Sequence, residues 1–139
     1  MREESVSFLD MWTPRILSVL RIITAFMFIA HGTQKVFNEP PSTMGSSSVP
    51  PLLLGIGGVL ELVGGALLFI GIFTRLVAFI LCGEMAVAYF MVSAPKAFLP
   101  LVNQGELAVL YCFVFLFFSF AGGGEWSIDR LWRRSSSQA

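Results

Sequence analysis

"RIITAFMFIAHGTQKVF", residues 21–37, is apolar enough to lie in a lipid bilayer, yet it carries Arg21, His31, Gln34 and Lys35. Arg21, Thr24, Phe28, His31 and Lys35 succeed one another at intervals of 3, 4, 3 and 4 residues. On an α-helix that spacing gathers them on one stripe. A charge at mid-bilayer costs about 2.5–3.5 kcal/mol or more. The stripe is therefore expected to face protein, and the rest of the helix lipid.

The whole chain has the same character. Of its 139 residues 55% are hydrophobic, 14 are Phe and only 13% are charged, with mean hydropathy +0.77. This is the profile of a one-domain membrane protein. A formal net charge of zero, with no single basic patch, argues against a general nucleic-acid binder. "MREESVSFLDMWTP" has mixed charge and no compact apolar core followed by a cleavage site, so the first apolar segment is expected to be retained.

A spanning helix needs roughly 20 apolar residues. Four segments meet that need, at about 15–36, 52–73, 75–93 and 102–121. Pro14 sits where a helix starts. Thr74–Arg75 is a tight turn, Pro95 and Pro100 interrupt the third connection, and Gly122–Gly124 stop the fourth helix. Alternation typical of a barrel is lacking, so the expected fold is an all-α, four-helix membrane bundle over residues 15–124. Residues 1–14 and 125–139 become flanking cytoplasmic segments. "NEPPSTMGSSSVPP" reads as an exposed loop and "SSSQA" as a frayed tail. Arg2, Arg15, Arg75, Arg130, Arg133 and Arg134 would lie on the side of both termini, with Lys35 and Lys96 near the other. The positive-inside rule then places both termini in the cytoplasm.

Further acids fall within these spans. Glu61 and Glu84 are near mid-span, and Glu106 is in the outer part of the fourth. Counting about 1.5 Å per residue, Arg21 and Glu84 lie roughly 9 and 13 Å deep, suggesting an inner pair. His31 and Glu61 come to roughly 24 and 21 Å, and with Lys35 and Glu106 suggest an outer cluster. Gly57, Gly64 and Gly71, beside Gly58 and Gly65, read as a packing seam or as a flat surface for a ring-shaped ligand. Cys82 and Cys112 form no CxxC or Cys/His cluster, so no zinc site is suggested. Their similar depths make a bridge geometrically possible.

The ordered set "RIITAFMFIAHGTQKVF", "LELVGGALLFIGIFTRLVA", "EMAVAYF", "GELAVLY" and "GGGEWSIDRL" resembles the DoxX family of small bacterial membrane proteins. The resemblance implies a four-helix bundle in the bacterial inner membrane. Its relatives are linked variously to quinone-coupled thiosulfate oxidation, to oxidative-stress complexes and to maturation of other enzymes.

Three functions compete. In a quinone-linked redox subunit, His31 and Glu61 would meet the quinone oxygens, Glu106 would exchange protons outside, and Arg21, Lys35 and Glu84 would bind ligand, relay protons or hold register. The sequence has no haem, flavin, iron–sulfur or zinc motif, so electrons would come from a partner protein. In a scaffold subunit, "EWSIDRLWRR" or the Phe-rich fourth helix would dock a larger complex. Transport of a small solute or protons would need a wider pore, as in a homo-oligomer.

Overall fold

The computed structural model describes residues 8–41 and 49–137, and among them all regular structure is helical. Arg2, residues 42–48 of the Pro/Ser loop and the last two residues of "SSSQA" lie outside the described residues.

Helix α1 (Phe8–Phe37) begins before the expected start at Arg15 and runs through Pro14. The turn before the proline carries its own packing: Phe8 meets Trp12 at 5.9 Å between ring centroids, and the Arg15 guanidinium lies 5.2 Å over the Trp12 ring. Helix α2 (Pro51–Ile70) ends at Gly71, whose φ of +76° suits glycine. The amides of Gly71 and Ile72 donate to Leu67 O at 2.9 and 3.0 Å.

Helix α3 (Thr74–Ala88) follows after three residues. It has no cap of its own; Asp129 supplies one from the far end of the chain, accepting from the amides of Phe73 and Thr74 at 2.8 Å each. A π-helical turn, Tyr89–Ser93, extends α3 to the expected end of the third span.

Helix α4 (Glu106–Ala121) starts four residues later than expected. Asn103 is buried and holds a turn instead, accepting from Gly105 N and donating to Ala97 O, both at 2.8 Å, while Gln104 takes a left-handed φ of 59°. The helix is about 24 Å long, short of the roughly 30 Å hydrocarbon layer. Helix α5 (Ile128–Ser136) occupies the stretch read from sequence as a tail, and Ser135 and Ser136 of the supposed frayed end belong to it.

Helix α1 packs on α2, α3 on α4, and α2 on α3. Phe28 closes the bundle by meeting Tyr111 and Phe115 of α4 at 5.2 and 4.8 Å between centroids. Burial is inverted relative to a water-soluble domain. Arg21 and Glu61 are 0% and 2% exposed, whereas Phe26, Phe79, Phe113 and Phe120 are 62–75% exposed. Lipid is the solvent that rewards this arrangement. The segments Phe8–Phe37, Pro51–Ile70 and Thr74–Ser93 are long and apolar enough to cross a membrane, and α4 is a shorter apolar helix.

Glycine sets the distance between α1 and α2. A methyl group at Gly58 would fall 2.8 Å from Val36 Cγ2 and 2.9 Å from Lys35 Cβ, whereas one at Gly55 would meet nothing within 4 Å. Gly58→Ala should therefore destabilise the bundle by about 1–3 kcal/mol, and Gly55→Ala should be neutral or stabilising. Unfolding in mixed micelles, monitored by circular dichroism, compares the two directly.

Candidate functional site

The polar interior divides into two levels. At the end where α1 begins, Arg21 is completely buried and its donors go to main-chain oxygens. Nε donates to Gly123 O at 2.9 Å, one terminal nitrogen to Phe69 O at 2.6 Å and to Leu68 O, and the other to Trp126 O at 2.7 Å. Leu68 and Phe69 are in the last turn of α2, where the helix dipole is negative, and Leu68 O also accepts from Gly71 N at 3.1 Å. Ser18 adds a second tie, donating to Pro14 O and accepting from Trp126 N, each at 3.0 Å. The inner pair expected between Arg21 and Glu84 is not formed. Four carbonyls from two segments capture the guanidinium fork before any carboxylate can, and the acid nearest in electrostatic effect is Asp129.

Toward the other end, Lys35 Nζ binds Glu61 Oε1 at 2.6 Å, with the Glu61 side chain 3% exposed. Glu84 of α3 joins this pair. A Cβ built on Gly57 would lie 3.4 Å from Glu84 Oε1 and 3.9 Å from Lys35 Nζ. The missing side chain thus leaves room for both groups over α2. Glu61 and Lys35 both act on Glu84, and Glu61 also acts on Tyr111. His31 meets Tyr111 edge-to-face at 6.0 Å, and Tyr111 stacks on Phe115 at 5.6 Å.

Most polar atoms in this cluster lack protein partners. Glu61 Oε2, both Glu84 carboxyl oxygens and Tyr111 OH are buried and make no hydrogen bond among the described residues. Such groups cost about 1–3 kcal/mol each, more when charged. Two carboxyl groups face one ammonium, so the trio is neutral only if one carboxyl holds a proton. An open apolar groove of about 720 Å³, lined by Lys35, Val36, Leu52, Ile56, Val59 and Leu60 among others, reaches the cluster through Lys35.

Of the residues expected in the outer cluster, His31, Lys35 and Glu61 come together. Glu84, expected deeper, is with them. Glu106 is exposed in the first turn of α4, with no hydrogen bond or ion pair among the described residues. Tyr111 is the participant that the sequence reading missed; its signal was a lone phenol within "ELAVLYCFVFLFF". The sequence groups Gly57 with a packing seam, but Gly58 and Gly65 meet α1 while Gly57 faces the charges. Among the described residues no group of three His, Cys, Asp or Glu side chains could hold a metal ion.

The profile of the DoxX family matches residues 16–94. An uncharacterised protein of Haemophilus influenzae is 46% identical over 125 residues, which are 87% of this chain and 93% of that one. A Bacillus subtilis protein named "Putative oxidoreductase CatD" is 33% identical over 102 residues, 66% of this chain and 75% of that one. No solved structure matches the chain.

The ion pair has a direct energetic signature. Lys35→Met should cost about 3–5 kcal/mol by leaving Glu61 buried and uncompensated. Lys35→Met combined with Glu61→Gln should recover most of that loss, giving a large coupling energy in a double-mutant cycle of micellar unfolding.

Proposed function

The chain belongs to the DoxX family, and from that premise we propose that it is the membrane subunit of a quinone-linked redox system, with the Lys35–Glu61–Glu84–Tyr111–His31 cluster as its site. The observation that carries this reading is the set of buried, unpartnered polar atoms on Glu61, Glu84 and Tyr111. A quinone ring presents two carbonyl oxygens at the ends of a flat apolar body. A matching site needs donors at those oxygens, an apolar slot and a source of protons. Tyr111 OH and an N–H of His31 supply the donors. The lipid-facing groove beside Lys35 supplies an entry for the ring.

Each residue has a separate task. Lys35 holds Glu61 at 2.6 Å and fixes its orientation. Glu84, over Gly57, holds a proton that balances the second carboxyl group. Tyr111, stacked on Phe115 and flanked by Phe28, presents its hydroxyl in a fixed direction. Glu106 exchanges protons with the outer surface, apart from the cluster. Arg21 is a positioning residue that holds the opposite end of the bundle.

In this reading α4 crosses the bacterial inner membrane as the fourth span, with Asn103 and its turn lengthening the crossing. Both termini are cytoplasmic, which agrees with Arg15, Arg75, Arg130, Arg133 and Arg134 on that side and Lys96 on the other. A partner protein delivers the electrons. The oxidoreductase name of the Bacillus subtilis relative supports the same class of activity.

Gently purified wild-type protein should carry quinone at close to one per chain, measured by mass spectrometry. Glu61→Gln and His31→Ala, at equal helicity, should lose at least about nine-tenths of it, as expected if each removes about 2.7 kcal/mol or more of binding. Equal background quinone in all three would refute the site.

A further inference from the structure

Cys82 of α3 and Cys112 of α4 face each other across the α3–α4 contact, with their sulfur atoms 3.6 Å apart. Both are free thiols and both are half-buried. A disulfide has sulfurs about 2.05 Å apart, so closure needs about 1.6 Å of relative movement, within reach of side-chain rotation and a small adjustment of two packed helices. The pair is also at the edge of the bundle rather than in its centre. Phe79, one turn before Cys82, and Phe113, next to Cys112, are both 64% exposed. Gly83 leaves the surface beside Cys82 uncovered, since nothing lies within 4 Å of where its Cβ would be.

We infer that Cys82 and Cys112 form an intramembrane dithiol that stores two electrons and passes them to a lipid-soluble quinone; the inference rests on the quinone-linked reading above. In the step, both S–H bonds break and one Sγ–Sγ bond forms. Two electrons and two protons leave the thiols and reduce one quinone to one quinol. A dithiol donor resets the pair by exchange, becoming a disulfide itself as the two thiols are restored. Location selects the oxidant. Thiols set at the lipid-facing edge of an apolar helix pair meet membrane-dissolved rings and are shielded from charged, water-soluble oxidants. The dithiol also gives the chain a two-electron carrier of its own, in a sequence without haem, flavin or iron–sulfur motifs.

The test uses the full chain in proteoliposomes, reduced and then freed of reductant without oxygen. A short-tailed ubiquinone analogue is added. Samples are denatured in detergent with a maleimide and weighed intact, while quinol and retained quinone are measured in parallel. The expected product is a chain lighter by two hydrogens and unlabelled at both cysteines, with one quinol per disulfide. Cys82→Ser and Cys112→Ser should each form neither. Wild-type protein that retains quinone while keeping both thiols maleimide-reactive would overturn the dithiol and leave the proposed site standing. A disulfide and quinol formed without retained quinone would sustain the dithiol and overturn that site. Free thiols with neither quinol nor retained quinone would overturn both.

Discussion

A guanidinium with no carboxylate partner among the described residues organises this bundle. Arg21 has no exposed surface, and its donors are taken by carbonyl oxygens of Leu68, Phe69, Gly123 and Trp126. An unpaired carbonyl in hydrocarbon costs several kcal/mol, and of these four Leu68 O also accepts from Gly71 N at 3.1 Å. The arginine and the chain ends satisfy one another. Their bonds fasten α1 to the end of α2 and to the glycine-rich segment that follows α4. Asp129 then reaches from the start of α5 to cap α3, and its amide donates to Gly71 O at 3.0 Å. One end of the bundle is thereby held by main-chain oxygens and amides, which are present whatever the surrounding side chains.

With the Arg21 end fixed this way, the level of Lys35 and Glu61 is free to carry charge that packing does not require. Lys35 satisfies one oxygen of Glu61, and among the described residues the remaining carboxyl oxygens of Glu61 and Glu84 and the Tyr111 hydroxyl have no partner. A bundle that needed only register would be served by the Arg21 tie and by the α1–α2 glycine contacts at Gly32, Gly58 and Gly65. Buried acids without partners detract from stability; in the proposed function they serve ligand and proton chemistry. Family membership and the inverted burial of Phe and Arg fix the setting as a membrane.

Much of this was legible in the sequence because membrane helices are written in long apolar runs. The stripe from Arg21 to Lys35 is half to fully buried as its spacing required. The third helix ends at Ser93 as read. Depth counting puts His31 and Glu61 at one level with Lys35 above them, and these three do meet; it puts Glu106 at that level too, where the structure leaves it exposed and apart. It failed for Arg21 and Glu84 because rise per residue gives height but not rotation about the helix axis, and because carbonyl acceptors have no letter in a sequence. The late start of α4 depended on Asn103 folding back onto Gly105 and Ala97, a tertiary event hidden in an apolar-looking run. Helix α5 escaped notice because it is short and polar, and its anchoring through Asp129 is entirely long-range.

The central claim is that carboxyl groups of the outer cluster respond to a quinone. Infrared difference spectroscopy of the protein in lipid, recorded as a bound quinone is electrochemically reduced, observes this without assuming a turnover partner. Reduction should change the protonated-carboxyl C=O stretching region, with a band shifted in deuterium oxide and removed by Glu84→Gln. A difference spectrum with quinone bands alone, identical in wild type and Glu84→Gln, would contradict it.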